Sequence, residues 1–317
     1  MKNQEFKPIK AIKIEKGIKT SELVDKMGDI GFNARYISQS SKILEEAILD
    51  KECRLFLGFA GAMVPGGMKQ IVIDIIDNNY VDVFVTTGAN LTHDLIEAIG
   101  FKHYQGTTNI SDEELNEKGI DRIYNVFMKN EVYVKLEKFF EENFDELSKA
   151  KSPREFLYLL GKIIPTKERS ILKACYEKNI PIFCPALTDS GIGLMVWGQL
   201  IRKKKIDLDF FDDLAKMIDI AWGVKKSAIL YIGGGVPKNY IQQALQFSKA
   251  ASYGVQITTD RAEPGGSSGA PLKEGISWGK MSTNAKFSDV FCDATIALPL
   301  IYSSLLDSVG KIEKKEL

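Results

Sequence analysis

Ser227-Ala228-Ile229-Leu230-Tyr231-Ile232, followed by Gly233-Gly234-Gly235-Val236-Pro237-Lys238 and then by Asn239 to Ala251, is the stretch whose reading decides the fold. A short apolar run reads as a strand, the glycines as a tight turn, and the remainder as a helix. The same unit occurs upstream. Arg54-Leu55-Phe56-Leu57-Gly58-Phe59 runs into the Gly-rich turn Ala60 to Gly67 and a helix from Met68 to Ile76. Val81 to Asn90 runs into a helix from Leu91 to Ile99, and the strand Ile180 to Cys184 into the turn Pro185 to Gly193. Downstream, Gly254 to Thr259 predicts a further strand, and Val290 to Thr295 the buried end of a last one, with a helix to about Asp307. Strands alternating with helices imply right-handed crossovers and a largely parallel sheet. The expected fold is α/β: a single Rossmann-like, doubly wound sheet flanked by helices, taken as one unit over residues 1–317.

Elsewhere the pattern is mostly helical. Two helices are expected between Thr20 and Asp50, and others at 131–149, at 153–162, from Lys167 to Lys178 and from Asp209 to Val224. Residues 101–130 read as an irregular polar insertion (Gln105 to Ile110) followed by Asp121 to Val126. Residues 1–20 read as a peripheral arm.

Composition narrows the function classes. With 317 residues, 44% hydrophobic and 26% charged, the chain can bury a large core. Lys+Arg and Asp+Glu balance at 42 each, so no net field recruits nucleic acid or an acidic membrane surface. Cys53, Cys175, Cys184 and Cys292 lack C-x-x-C spacing and read as reduced thiols, and no segment has the length and apolarity of a membrane span, so a cytoplasmic protein is expected. The only histidines, His93 and His103, leave little for a metal centre, and no metal is expected.

The chemistry gathers downstream of the strand ending at Thr259. Pro264-Gly265-Gly266-Ser267-Ser268-Gly269-Ala270-Pro271 lets backbone N–H groups approach a ligand closely, and Glu274-Gly275-Ile276-Ser277-Trp278-Gly279-Lys280 then sets a flat ring two residues from an amine. Desolvation beside a tryptophan favours the neutral amine, a nucleophile that forms imines. Asp189 and Asp293 follow expected strands, where a carboxylate either accepts ribose hydroxyls or caps the next helix. A full G-x-G-x-x-G is absent.

Taken together these residues resemble the deoxyhypusine synthase family, whose members use NAD to move an aminobutyl group from spermidine onto a protein lysine. The resemblance rests on Leu57-Gly58-Phe59, Val81-Asp82-Val83, Val85-Thr86-Thr87, Pro185-Ala186-Leu187-Thr188-Asp189, Gly233-Gly234-Gly235-Val236, Gly265, Ser268-Gly269-Ala270, Ser277-Trp278-Gly279-Lys280 and Asp293-Ala294. It implies that Lys280 forms the covalent imine, that Trp278 walls the aminobutyl chain and that Glu274 helps hold the amine. NAD contacts are implied for Thr87, Gly88, Asp189, Gly234, Thr259, Gly265, Ser268, Asp293 and Ala294. A homotetramer with sites at subunit interfaces is implied as well.

The substrate half departs from the family pattern. Asn239 stands where the family has a catalytic histidine, Leu194 and Ser267 stand where it has carboxylates, and His93 replaces a glutamate. An asparagine cannot take a proton near neutral pH, and ammonium groups buried without partners are costly. The expectation is therefore an NAD-dependent transferase acting through a lysine imine on an altered amine, polyamine or acceptor. The acceptor is either a protein lysine or a free diamine. The alternative is a catalytically altered, NAD-binding regulatory paralogue.

Overall fold

The computed structural model describes residues 6–165 and 169–317. The described part of the N-terminal arm, up to Lys19, has no regular secondary structure and is almost wholly exposed. Lys7 and Lys10 both reach Asp29.

Helices α1 (Thr20–Met27) and α2 (Phe32–Leu49) precede β1 (Cys53–Phe59), α3 (Lys69–Asp77), β2 (Val83–Thr86) and α4 (Gly88–Ala98). The segment after α4 holds β3 (Tyr104–Gln105), α5 (Asp112–Glu117), β4 (Ile120–Ile123) and β5 (Val126–Lys129). Then come α6 (Val132–Leu147), α7 (Pro153–Ile163), α8 (Ile171–Lys178), β6 (Ile182–Phe183), α9 (Gly191–Ile201) and α10 (Phe210–Gly223). The chain closes with β7 (Lys226–Ile232), α11 (Gly235–Gln246), β8 (Ala251–Thr258), β9 (Met281–Phe291) and α12 (Ala294–Ser308).

The main sheet has the order β6-β2-β1-β7-β8-β9, and every pairing in it is parallel. Strands β1, β2, β6 and β7 are buried on both faces, as a parallel sheet between two helical layers requires. Along β7, Ala228, Leu230 and Ile232 join one core with α2, α3, α4 and α12, while Ile229 and Tyr231 join a second with α10 and α11. The winding reverses between β1 and β7. From β1 the chain moves outward to β2 and β6, and from β7 to β8 and β9, so the carboxyl ends of β1 and β7 flank the switch point where open α/β sheets hold ligands.

Two expected helix boundaries are corrected, and a small sheet and a longer last strand are added. Gly106 to Ile110 carry no helix or strand, as expected of the polar insertion, while β3, β5 and β4 around them form a three-stranded antiparallel sheet, turned at Tyr124 with φ 55°. Strands this short and only half-buried give little hydrophobic alternation to read. The last strand ends at Phe291, within the stretch expected to hold its buried end, and begins as early as Met281; its polar, solvent-facing residues Thr283, Asn284 and Lys286 belong to a sheet edge. Finally, α11 ends at Gln246, which leaves Ala251 to open β8, and the expected helix from Lys167 begins at Ile171 behind the N-cap Ser170; residues 167 and 168 lie outside those described.

Candidate active site

Two cavities divide most of the residues singled out in the sequence. The first, of about 380 Å³, opens at the switch point and is lined by Thr87, Gly234, Thr259, Ser268, Asp293 and Ala294, together with the Gly61 turn after β1. Three helices point their amino ends here. Thr87 caps α4, Gly234 precedes α11 with no side-chain cap, and Asp293 caps α12. Unpaired N–H groups at such ends favour anionic groups. Gly233 and Gly235 adopt φ +72° and +58°, and a Cβ on Gly234 would lie 2.4 Å from Ser268 Cα, so the turn needs glycine to shape the cleft. Asp293 Oδ1 accepts from the Thr295 amide and hydroxyl, which makes the cap reading correct for this residue. Its side chain remains exposed, with Oδ2 available to a hydroxyl-bearing ligand.

The second cavity, of about 360 Å³, is lined by Lys238, Asn239, Gly265, Ser267, Glu274, Trp278 and Lys280, with the glutamine face of α11 along one side. Lys280 Nζ stands 5.0 Å from the centre of the Trp278 ring. Lys280 is half-buried and the ring is 57% exposed, so within one chain the amine keeps solvent on its open side. Full desolvation requires another surface laid over the cavity. The Lys280 amide donates to Gly275 O at 2.8 Å, and the Ala251 amide donates to Lys280 O at 3.0 Å. Lys280 therefore sits at the amino-terminal end of β8 and β9, although the Gly/Ser loop leaves the opposite end of β8.

Gly88, Asp189, Leu194 and His93 fall outside both cavities. Gly88 is buried, and a Cβ there would meet Ser190 Cβ at 2.5 Å, so it permits close packing of α4 on the turn before α9. Asp189 is exposed and does not cap α9, since Ser190 does so by accepting from the Gly193 amide. Leu194 projects from α9 at 57% exposure, beside Trp197 and Ile201, which are also exposed. Gly265, implied as a cofactor contact, lines the Lys280 cavity instead.

His93 belongs to a chain of polar groups that the sequence did not reveal. Its Nδ1 lies 2.9 Å from His103 Nε2, and His103 Nδ1 lies 2.7 Å from Glu97 Oε1, which also pairs with Lys69. An ionised Glu97 accepts from His103 Nδ1–H, so His103 Nε2 accepts from His93 Nδ1–H and leaves His93 Nε2 as a free lone pair. Burial, reinforced by the neighbouring His103, pushes His93 down to about 4.

Lys238 was also missed. It is 2% exposed and donates from Nζ to Ala270 O at 2.6 Å. Gln256 Nε2 donates to the same carbonyl at 3.2 Å, so the two side chains pin the Gly/Ser loop between the cavities. Lys238 shares the core-facing stripe of α11 with Ile241 and Leu245, at i+3 and i+7, and that spacing was the available signal.

A family model described as deoxyhypusine synthase matches residues 22–305. Among curated proteins, "Probable deoxyhypusine synthase 1" of Archaeoglobus fulgidus is 42% identical over 298 residues, covering 94% of this chain and 97% of its own length. "Probable deoxyhypusine synthase 2" of the same organism is 40% identical over 288 residues, covering 88% of this chain and 96% of its own length. Among solved structures, a candidate deoxyhypusine synthase from Entamoeba histolytica superposes with a TM-score of 0.68 at 21% identity, covering 98% of this chain and 100% of the other, which supports the fold. Matched in sequence from α1 to α12, the chain belongs to the deoxyhypusine synthase family.

Proposed function

We propose that the protein is a cytoplasmic, NAD-dependent aminoalkyl transferase in which Lys280 is the covalent nucleophile and the donor or acceptor differs from the family's usual one. Family membership supports a transferase. The observation that carries the reading to this chain is the Lys280 amine, set against Trp278 in a cavity that also holds Glu274. A plain dehydrogenase has no use for that amine.

The switch-point cleft fits NAD by its donor set. Helix amino ends and the Gly233–Gly235 turn suit a pyrophosphate, and Asp293 suits a ribose. When bound, NAD supplies the oxidant that converts an amine carbon to an imine. Lys280 then offers its lone pair to that carbon, Trp278 shields the alkyl chain, and Glu274 pairs with the ammonium end. Asn239 donates or accepts a hydrogen bond in this cavity but holds no proton for transfer.

The two cavities open separately on one chain, and the exposed apolar residues Leu194, Trp197 and Ile201 of α9 form a surface suited to a second copy. Both observations support a homotetramer whose subunits complete one another's sites. With Leu194 and Ser267 replacing carboxylates, spermidine is a poor donor and a shorter or less cationic amine a better one.

Incubation with NAD and a panel of polyamines and diamines, followed by borohydride reduction and intact-mass measurement, tests the reading. An adduct that maps to Lys280 and vanishes in Lys280→Arg is expected, weak with spermidine. Efficient spermidine turnover contradicts the altered pocket. NAD binding with no adduct from any amine favours the regulatory alternative, to which Asn239 points.

A further inference from the structure

We infer that Lys238 is the acid–base group of the Lys280 cavity, taking the proton that Lys280 must lose before its nitrogen can attack and returning it later in the cycle. The inference rests on the proposed role of Lys280 as nucleophile. Its starting point is a buried amine without an ion-pair partner among the described residues. Lys238 is 2% exposed, lines the same cavity as Lys280, and has the Ala270 carbonyl as its hydrogen-bond partner. Charged lysines are almost never fully buried unless paired.

The groups facing Lys238 come from every element around it. Ala270 and Gln256 approach from the Gly/Ser loop and β8, Asp289 from β9, Glu274 from the turn after Pro271, and Lys280 from the start of β9. Both Asp289 oxygens lie within hydrogen-bond reach of the Leu272 amide. Burial pushes Lys238 down to about 8, against the pull of Asp289 and Glu274 and with the help of Lys280. The amine thus exchanges its proton close to neutral pH, which Asn239 beside it cannot do. A neutral Lys238 still donates one N–H to Ala270 O and keeps a lone pair for the cavity.

The step balances without another reactant. One proton leaves the Lys280 ammonium through cavity water and joins the Lys238 lone pair, giving a neutral Lys280 amine and a Lys238 ammonium still bound to Ala270 O. That ammonium is then the acid that protonates the departing amine.

The test separates this role from NAD and polyamine chemistry. The full-length protein is treated with butanal and cyanoborohydride from pH 6 to 10, and alkylation of Lys280 is followed by peptide mass mapping in wild type, Lys238→Met and Lys238→Arg. The wild-type rate should rise through an inflection near pH 8. Both variants should lose that inflection and react about a hundredfold more slowly at pH 7, the scale of general base catalysis. Lys238→Arg keeps the charge and N–H donors that can reach Ala270 O, so its failure to rescue distinguishes proton transfer from loop anchoring, and circular dichroism confirms folding. An unchanged inflection in Lys238→Met, or wild-type rates in Lys238→Arg, overturns the inference and leaves the Lys280 reading standing. No alkylation of Lys280 in wild type overturns both.

Discussion

Ala251 donates its amide to the carbonyl of Lys280, and this bond holds the proposed nucleophile at the opposite end of β8 from Thr259, which lines the switch-point cleft. At about 3.3 Å per residue the length of β8 separates them by roughly 20 Å. On the proposed reading, a hydride acceptor held beside Thr259 lies too far away to serve the lysine of its own chain directly. The proposed function requires two chains to meet.

Assembly is the first consequence. The 35.4 kDa chain should run as a tetramer in light scattering. Trp197→Asp, placed on the exposed apolar face of α9, should shift the distribution to smaller species with little loss of helix signal. Monomeric wild type with full activity would count against the assembly.

The α12 cap made by Asp293 and its proposed ribose contact are separable by melting and calorimetry. Asp293→Ala removes the α12 cap, costing about 0.5–2 kcal/mol of stability, and the proposed ribose contact, costing about 1–3 kcal/mol of NAD affinity. Asp293→Asn should keep most of the cap and still weaken NAD. Equal NAD affinity in all three proteins removes Asp293 from the cofactor site.

Gly234→Ala should close the cleft, since its Cβ would meet the Ser268 backbone at 2.4 Å. NAD titration should fail, while alkylation of Lys280 by a small aldehyde persists because the second cavity is separate. Loss of both signals would mean that the two cavities are not independent.

Acid stability should carry the mark of His93. Its proton affinity falls to about 4 in the fold from the ordinary 6.5, so between those pH values the unfolded chain binds the proton and the folded chain does not. Stability from this residue is complete above about 6.5 and is lost as pH falls towards 4. Asp82, Asp94 and Asp213, each pushed up to about 6 by burial, act in the opposite sense, so the measurement is a difference. Urea melts of His93→Asn should show a smaller loss of stability than wild type from pH 6.5 to 4; parallel curves would contradict the placement of His93.

Much of this was legible in the sequence because buried parallel strands and glycine turns leave strong local marks. The unit from Ser227 to Asn239 maps onto β7 and the start of α11, and the Gly233–Gly235 turn faces the cleft expected of it. What stayed hidden depends on tertiary contact. β9 is an edge strand whose polar outer residues resemble a loop, and although its spacing places Lys238 on the apolar stripe of α11, only packing shows that its amine is buried against Ala270. His93 and His103 meet only once the chain beyond α4 folds back. The Gly/Ser loop reads as belonging to one end of the sheet, and only the Ala251–Lys280 pairing shows that it carries Lys280 to the other.

The split between the two cavities is tested most directly by subunit complementation. Lys280→Arg and Asp293→Ala are purified separately, mixed under conditions that exchange subunits, and assayed by borohydride-trapped adduct with NAD and the best amine. At an NAD concentration that serves wild type but lies well below the weakened affinity of Asp293→Ala, each variant alone should give little adduct, and the mixture should recover roughly a quarter of wild-type labelling, because half the symmetric pairs are mixed and each then holds one intact site. No recovery in mixtures shown by native mass spectrometry to contain mixed oligomers would contradict a site shared between chains.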